Sequence, residues 1–387
     1  MKRVIVIGGG IAGLAAAHRL TELTSANSLS VDIKLFEASG RLGGSIATER
    51  VGDFLVEAGP DSFITEKPWA LRLCERIGLS SRLVSTQAAN QKIFIIQGGK
   101  LVQLPEGFFL LAPTRLWPFI QTPLFSWPGK LRMASELFLP RGEFNGDESL
   151  GSFVRRRFGN EALERVAQPL VGGIYASDPD KLSLAATMPR FKEMERASRS
   201  VIYAMWCAQR QRAKKAETGS GARWSLFVTL AGGMQELVDA LAERLPAGSV
   251  RLNCAAKELK PGPNGKTWEV TTGENNVVDA NAVILATPAF RTEDLLTPID
   301  GNAAAELKSI SYASTATVSL ASAKRIGTSS PVTTGVRLGW AMAATGGLAT
   351  SALGTTGVDV TRPPSGSCRS SDLITSLPPM RVNSPSC

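Results

Sequence analysis

The sequence of 387 residues predicts an α/β fold, in which a Rossmann-like nucleotide-binding domain carries an inserted α+β segment with a mostly helical part. Three stretches favour this fold. Residues 4–7 are a β-branched run that meets a glycine-rich turn and an alanine-rich helix. Residues 31–37 predict a second strand that ends in an acid, and residues 282–288 a continuous apolar strand of the kind buried in parallel sheets. Because these strands lie far apart in the sequence, we expect the nucleotide-binding domain to be discontinuous.

The glycine-rich turn has the G-x-G-x-x-G spacing in Gly8, Gly10 and Gly13. In such a motif the first glycine makes a tight turn, the second lets the backbone approach a pyrophosphate, and the third packs helix on strand. The helix N-terminus then offers free N–H groups to the phosphates. Glu37 lies 24 residues beyond Gly13, near the offset at which a carboxylate binds ribose hydroxyls, although a solvated strand end is the alternative. The glycine motif together with Glu37 predicts a dinucleotide-binding site, but it does not distinguish NAD from FAD.

Further motifs make that distinction. Residues 41–44, Arg-Leu-Gly-Gly, have the R-x-G-G pattern of flavin-dependent enzymes, in which glycines bring the backbone close to the cofactor and the arginine offsets pyrophosphate charge. A plain Gly-Gly loop is the alternative. The runs Gly-Pro-Asp-Ser-Phe at 59–63, Pro-Leu-x-x-Gly-Ile-Tyr-Ala at 169–176 and Thr-Leu-x-x-Gly-x-Gln-x-Leu at 229–237 follow. Together these motifs resemble the oxygen-dependent protoporphyrinogen/coproporphyrinogen oxidase family, within the amine-oxidase-like flavoproteins.

The resemblance implies an FAD-binding domain and an FAD-dependent oxidase of heme biosynthesis. Such an enzyme converts protoporphyrinogen IX or coproporphyrinogen III to the porphyrin with oxygen as acceptor, and the choice between the two substrates stays open. On matching positions the implied cofactor-binding residues are Gly8, Gly9, Gly10, Ile11, Ala12, Gly13, Glu37, Ala38, Arg41, Leu42, Gly43, Gly44, Gly59, Pro60, Asp61, Ser62 and Ala256. The implied substrate-binding residues are Phe63, Lys67 and Ile174, with a solvated helix-start lysine as the alternative for Lys67. No catalytic side chain is expected, since flavin itself accepts hydride.

The predicted domain boundaries follow from these motifs. Residues 1–85 and 223–290 are expected to form the two parts of the FAD-binding domain, with a substrate or membrane-facing segment inserted at 86–222. Within the second part we predict a strand at 250–257 and a hairpin at 268–280. Residues 291–325 are expected to begin the strands of the substrate domain, and residues 326–387 to form an atypical, loose tail.

Composition limits the other partners. The net charge of +9 favours anionic partners, but no nucleic-acid-binding motif accompanies it. The aromatic, proline-rich stretch at 104–128 and the basic stretch at 190–215 suit either peripheral contact with an anionic membrane or, for the aromatics, a core under loops. The arginine run 155–157 is expected to be a solvated helix face, with binding of anionic groups as the alternative.

Histidine and cysteine usage excludes other chemistry. His18 is the only histidine, which excludes a histidine-based triad or metal cluster, and we expect it to be structural. Five scattered cysteines without a C-x-x-C pair predict no metal site and a reducing compartment. With no signal peptide evident, a cytoplasmic protein, peripheral on the inner membrane face, is the expected localisation.

The end of the sequence departs from the family. The resemblance fades beyond Lys324, and 32 of the 60 residues from 328 to 387 are Ser, Thr, Gly or Pro, which leaves little apolar area to offset ordering entropy. A frameshifted or truncated reading frame is one explanation, so an inactive remnant is an alternative to an oxidase. An FAD-dependent amine or polyene oxidase is the other alternative. The sequence does not predict an oligomeric state.

Overall fold

In this computed structural model the described residues are 1–52, 54–87, 92–105, 108–109, 112–113, 115–142, 146–175, 177–217, 225–312, 315–320 and 339–344. The strands there are β1 Lys2–Ile7, β2 Val31–Phe36, β3 Thr48–Val51, β4 Phe54–Glu57, β5 Phe63–Ile64, β6 Leu83–Ser85, β7 Phe94–Gln97, β8 Lys100–Gln103, β9 Phe108–Phe109, β10 Ala112–Pro113, β11 Phe227–Leu230, β12 Val250–Arg251, β13 Ala256–Pro261, β14 Trp268–Thr272, β15 Val277–Ala280, β16 Ala282–Leu285, β17 Thr315–Leu320 and β18 Gly339–Ala344.

The α-helices there are α1 Ile11–Ala26, α2 Trp69–Arg76, α3 Leu116–Gln121, α4 Trp127–Ala134, α5 Leu150–Phe158, α6 Asn160–Ala162, α7 Gln168–Tyr175, α8 Leu184–Thr187, α9 Pro189–Ser198, α10 Val201–Glu217, α11 Gln235–Ala242, α12 Ala289–Leu296 and α13 Gly301–Lys308. Short 3-10 turns span Ser80–Arg82, Ser135–Phe138 and Pro179–Lys181, and a π turn spans Leu163–Ala167.

A parallel sheet with the strand order β12-β2-β1-β16 underlies the predicted cofactor site. In its centre Val4 lies opposite Ile33 of β2 and Ala282 of β16. Ile5 and Val6 are fully buried, because β1 has neighbours on both edges and packed layers on both faces. The predicted α/β fold is confirmed, and the sheet joins strands from distant parts of the chain.

The strand predicted at 250–257 is wrong in one respect, because the structure divides it. Residues Val250–Arg251 form β12 beside β2, whereas β13 begins at Ala256 and pairs antiparallel with β14. Between them Asn253 has a φ of 53°, a left-handed conformation that turns the chain out of one sheet and into the other. The hairpin predicted at 268–280 is present as β14 and β15.

The inserted segment has its own hydrophobic core, centred on α5. Phe153 and Val154 of α5 are fully buried, and Phe153 packs against Phe158 and Phe191 with ring centroids 6.4 and 6.2 Å apart. Leu150 and Leu184 complete the centre of this core. The segment therefore folds around its own apolar centre while being attached to the cofactor-binding sheet at both ends.

An ion-pair network inside the insert corrects the expectation for the arginine run. Arg157 is completely buried and pairs with the fully buried Glu136, which also accepts hydrogen bonds from Ser200 Oγ at 2.5 Å and Val201 N at 2.8 Å. Arg156 pairs with Glu148 and Glu195 at 2.9 and 2.7 Å, and Arg155 pairs with Asp180. The run is a structural clamp because its side chains face carboxylates of neighbouring elements.

The same network shifts two protonation equilibria in the directions expected of ion pairs. Burial on its own raises the pKa of Glu195, but the Arg156 and Arg157 guanidiniums and the Gly142 amide outweigh it and hold that pKa below its ordinary value. Burial lowers the pKa of Arg156, but Glu195 and Glu148 more than reverse this effect and raise it. Both shifts favour the charged forms of Glu195 and Arg156.

The structure describes one short part of the stretch that the sequence predicts to be a loose tail. Residues Gly339–Ala344 form β18, which pairs antiparallel with β17 in a register that places Thr315 opposite Ala344. Backbone hydrogen bonding to a neighbouring strand needs no bulky side chain, so a small-residue composition did not prevent a strand here. The rest of the predicted loose tail lies outside the described residues. Among those that are described, none of the helices has the length and apolar character needed to cross a membrane.

We predict that Glu136→Ala lowers the free energy of unfolding by about 3–5 kcal/mol, because it removes the main carboxylate partner of the buried Arg157 guanidinium, whose contact with Glu195 is longer at 3.5 Å. Denaturant titration followed by fluorescence measures the loss. Arg155→Ala is the matched control, since its exposed pair with Asp180 is expected to contribute ~1 kcal/mol or less. Equal losses for the two variants would contradict the assigned role of Glu136.

Candidate cofactor site

The glycine-rich turn after β1 has a backbone that only glycine permits at two positions. Gly8 has a φ of 109°, and a Cβ there would lie 2.6 Å from the Ala286 carbonyl oxygen just beyond β16. A Cβ on Gly13 would overlap the Gly8 carbonyl oxygen. The turn therefore closes tightly against β16 and α1, as the G-x-G-x-x-G spacing predicts.

The N-terminus of α1 is open toward the same side. The first intrahelical bond of α1 runs from Leu14 N to Gly10 O at 3.0 Å, and no side chain caps the helix. A Cβ on Gly10 would have the Gly43–Gly44 loop as its nearest neighbour, with Gly44 Cα 4.0 Å away. Uncapped amides at a helix N-terminus beside such free space fit a pyrophosphate group.

Glu37 stands at the end of β2, where its carboxylate is held in place from both sides. One oxygen accepts a hydrogen bond from Gly9 N at 2.6 Å, and the other accepts from Ser39 N at 2.8 Å and Ser39 Oγ at 2.7 Å. Its backbone carbonyl accepts from Cys254 N at 2.8 Å, which brings the stretch before β13 to this edge. Ala256, predicted at the adenine end, is the first residue of β13, and Ala38 is exposed beside Glu37.

The R-x-G-G loop contacts the first glycine turn directly. Gly43 N donates to Gly9 O at 2.9 Å. Gly44 has a φ of 60°, and a Cβ on this residue would lie 3.2 Å from Gly10 Cα. Leu42 lies against Gly9, where a Cβ would meet its side chain at 2.7 Å. The two loops therefore approach at backbone distance, and a Cβ on Gly9 or Gly44 would crowd this contact.

Arg41 contacts the carbonyl groups of its own loop. Its guanidinium donates to Leu42 O at 3.2 Å, to Ile46 O at 2.8 Å and to Gly44 O at 2.5 Å. These bonds fold the loop around the guanidinium. The expectation that Arg41 offsets pyrophosphate charge stays a prediction, and the contacts of this side chain show a loop-folding role beside it.

The predicted flavin loop continues the same chain of contacts. Ala58 N donates to Ala47 O at 2.8 Å, and a Cβ on Gly59 would overlap the Ser45 carbonyl oxygen. Pro60 is exposed, while Asp61 Oδ1 accepts from Ser62 Oγ at 2.8 Å. Three motifs that are separate in the sequence are therefore brought together.

One functional candidate, Glu57, was missed by the sequence analysis. Glu57 is 7% exposed, and its carboxylate accepts from Thr48 Oγ1 at 2.6 Å and from Met234 N at 2.8 Å. Burial raises the pKa of Glu57, the Thr48 and Met234 hydrogen bonds oppose this, and the nearby Asp61 charge adds to it. The available signal was an acid at a strand end, one residue before the predicted flavin loop.

The three predicted substrate residues lie on two separate elements. Phe63 is half-buried in β5 opposite Val228, and Lys67 is exposed in the connection from β5 to α2. Ile174 is 52% exposed on α7 of the insert. An ion pair between Glu66 and Arg190 places α9 of the insert beside the β5–α2 connection. The roles of these three residues stay predictions.

His18 lies on the buried face of α1, away from the phosphate-facing end. It is 5% exposed, and its Nδ1 lies 3.8 Å from Glu22 Oε2. Burial lowers the pKa of His18, and the Glu22 charge opposes this. Among the described residues no group of three or more His, Cys, Asp or Glu side chains could hold a metal ion.

A match to a family model decides which dinucleotide belongs here. The family of flavin containing amine oxidoreductases matches residues 11–341. The chain belongs to this family. Its cofactor is FAD, the flavin whose ADP half suits the turn, the open helix N-terminus and the oriented Glu37 carboxylate. The match also extends past Lys324, where the sequence analysis ended the resemblance, so the chain follows this flavoprotein family further than expected.

Relatives within the family carry porphyrinogen oxidase names. A coproporphyrinogen III oxidase of Propionibacterium freudenreichii is 35% identical over 342 residues, which cover 82% of this chain and 63% of that protein. Protoporphyrinogen oxidase 1 of Spinacia oleracea chloroplasts is 30% identical, covering 82% of this chain and 55% of that protein. A crystal structure from Exiguobacterium, described as a protoporphyrinogen oxidase, is 30% identical with a TM-score of 0.71, covering 84% of this chain and 67% of that one.

We predict that Gly10→Ala weakens FAD binding by tenfold or more while leaving the flavin-free chain as stable as wild type. Its Cβ has room in the protein, with its nearest neighbour at 4.0 Å, and occupies only the space that the pyrophosphate needs. Gly13→Ala is the contrasting variant, because its Cβ overlaps Gly8 O, so both stability and FAD binding are expected to fall. Flavin titration and thermal unfolding separate the two. Unchanged FAD affinity in Gly10→Ala would contradict the site.

Proposed function

We propose that this flavoprotein oxidises a porphyrinogen to the porphyrin in heme biosynthesis, with oxygen as electron acceptor and coproporphyrinogen III as the favoured substrate. The supporting observation is the convergence of the three glycine loops on the open N-terminus of α1, in a chain whose relatives carry porphyrinogen oxidase names. Four relatives named coproporphyrinogen III oxidase are 31–37% identical, and four named protoporphyrinogen oxidase are 26–32% identical, so the higher identities are to the former although the two ranges overlap. The matched part of this chain spans 63% of the length of the Propionibacterium freudenreichii relative. The activity is therefore a proposal.

The protein's own residues bind and orient, and bound FAD supplies the hydride acceptor and the route of electrons to oxygen. In this proposal the α1 amides and the glycine turn hold the pyrophosphate, and Glu37 accepts hydrogen bonds from ribose hydroxyls. Gly43 and Gly44 carry the backbone past the cofactor, and residues 59–62 face the flavin. This division explains why a site built largely from backbone amides would be sufficient.

The substrate side is proposed on the surface between the β5–α2 connection and the insert. Phe63 and Ile174 would pack on the tetrapyrrole, and Lys67 would pair with one of its carboxylates. Arg190 is already paired with Glu66, so Lys67 is the better-placed cation on that connection. Coproporphyrinogen III carries more carboxylates than protoporphyrinogen IX, which suits a chain of net charge +9.

An amine oxidase is the less favoured function. Amine substrates are cations at neutral pH and gain nothing from the positive field of this chain. The named relatives at 30% identity or above also act, by their names, on porphyrinogens.

We predict that the purified, FAD-loaded protein converts coproporphyrinogen III to a fluorescent porphyrin in air, faster than protoporphyrinogen IX, with hydrogen peroxide as the second product. Fluorescence and a peroxide assay on the same sample measure the two products. Lys67→Met should raise the KM for coproporphyrinogen by about tenfold, the worth of one charge-assisted pair, and change kcat little. Lys257→Met, a lysine of β13, is the control. Bound FAD with neither porphyrinogen oxidised would contradict the function.

We further propose a cytoplasmic protein that touches the anionic inner face of the membrane through the insert. Trp127 and Leu131 are 65% and 70% exposed, and their i, i+4 spacing puts them on one face of α4. On α10, Trp206 is 40% exposed, with the Arg210 guanidinium 3.5 Å from its ring centroid. In the aromatic stretch 104–128, Phe119 and Phe125 are buried whereas Trp127 is exposed, so this stretch supplies both core rings and exposed rings. Exposed aromatic rings with adjacent cations suit the headgroup region.

We predict that the double variant Trp127→Ser and Leu131→Ser loses most of its co-sedimentation with phosphatidylglycerol vesicles. Each exposed apolar side chain removed from the headgroup region costs binding in proportion to its buried area. Val277→Ser, on β15 and 58% exposed, is the control. The membrane proposal would be contradicted if the wild-type protein did not co-sediment with anionic vesicles, or if it bound neutral vesicles equally well.

A further inference from the structure

Helix α11, in the second half of the cofactor domain, is capped by the first half. The residue before it, Met234, is the N-cap and makes no side-chain cap hydrogen bond of its own. Instead Met234 N donates to Glu57 at 2.8 Å, and Gln235 N donates to Thr48 Oγ1 at 3.0 Å. A carboxylate and a hydroxyl from the β3–β4 hairpin thus satisfy amides that would otherwise lack partners.

The hydrogen bonds of this cap have a defined direction. Because Thr48 Oγ1 accepts from Gln235 N, its own proton is free to be donated to Glu57 at 2.6 Å. Glu57 therefore acts as acceptor to both donors, a role that suits the carboxylate, and its charge faces the positive end of the helix dipole. None of the described lysines, arginines or His18 forms an ion pair with it.

The contact is close-packed as well as polar. Gly233 has a φ of 88°, and a Cβ there would overlap Thr48 and lie 2.9 Å from Glu57 Oε1. Further along α11, Val238 would lie 3.2 Å from a Cβ on Gly43. One helix therefore supports both the R-x-G-G loop, through Val238, and the strand that leads into residues 58–62, through Glu57.

We propose that Glu57 is a positioning residue of the FAD site. With Thr48 it fastens α11 to the β3–β4 hairpin and so sets the loop 58–62 against the loop 43–46. It acts through these loops and not by touching the substrate. The inference rests on the proposed function only in taking FAD as the group that the loops receive.

Burial disfavours the ionised form of Glu57 in the folded chain. Burial, the largest cause, raises its pKa, so the folded chain binds this proton more tightly than the unfolded chain does. Protonated Glu57 therefore adds to the unfolding free energy at pH values below 4.5, the ordinary pKa of a glutamate. This contribution is lost as the pH rises through the higher pKa that Glu57 has in the folded chain. Glu57→Gln removes this pH dependence and is expected to keep wild-type stability at neutral pH.

The experiment compares Glu57→Gln, Thr48→Val and Thr48→Ser by FAD titration and by unfolding of the flavin-free chain. Glu57→Gln and Thr48→Val are expected to weaken FAD binding by about tenfold, the worth of a lost charge-assisted hydrogen bond. Thr48→Ser, which keeps the hydroxyl, should stay within about threefold. Glu236→Gln is the matched control, because Glu236 caps Gly232 N at 2.8 Å at the same helix end but faces Arg82.

A fall in FAD affinity without a fall in neutral-pH stability for Glu57→Gln supports the positioning role. Wild-type FAD affinity in Glu57→Gln, or an equal loss in Glu236→Gln, overturns it. If Thr48→Val does not fold, Glu57→Gln and Thr48→Ser still decide. A wild-type chain that takes up no FAD contradicts the proposed function. The coupling of Glu57 and Thr48 in flavin-free unfolding then remains the test, and the absence of coupling overturns the cap itself.

Discussion

The close approach of backbone to backbone at the glycines of three loops is the constraint on which the cofactor side of this molecule depends. The Gly8–Gly13 turn, the Gly43–Gly44 loop and Gly59 each contact another segment at a distance that a Cβ would obstruct. Such contacts bring many N–H groups to one place without side chains between them. They also require the supporting elements to be fixed in position, because backbone cannot adjust as a side chain does. β1, which precedes the first turn, is held between β2 and β16, and α11 packs against the Gly43–Gly44 loop through Val238.

The insert follows a different strategy. Its apolar core is held together by the charged clamp of Arg156 and Arg157 with Glu136, Glu148 and Glu195, and Glu136 also caps the start of α10 through Ser200 and Val201. Buried ion pairs contribute modest net stability but tolerate little rearrangement, since a half-broken pair is costly. A polar clamp thus fixes the geometry of short helices that have little intrinsic stability. Cofactor domain and insert are ordered by separate means and meet at Glu66 and Arg190.

The comparison of sequence with structure separates local from non-local information. The β1–turn–α1 unit, β2 with its terminal acid and the hairpin of β14 and β15 were predictable, because each depends on residue pattern over a few positions. The division of residues 250–257 was not, because it depends on the left-handed Asn253 and on which sheet each half joins. The partners of Arg157 and Glu57 were likewise hidden, since they are 21 and 177 residues distant in the chain. Carboxylates with distant partners look like solvated residues until the fold is known.

The scarcity of reactive side chains has a physical explanation in this arrangement. The only histidine in the sequence is buried in the middle of α1, and most contacts described at the predicted cofactor site are made by backbone amides and carbonyl groups, with the side chains of Glu37, Arg41, Asp61 and Ser62 beside them. Among the described residues, such a surface is suited to holding and orienting a dinucleotide. We therefore expect the bound flavin to supply the redox chemistry and the surfaces around it to set substrate choice. On this argument, differences among family members in what they oxidise should arise from the insert and from the β5–α2 connection, while the glycine loops serve every substrate equally.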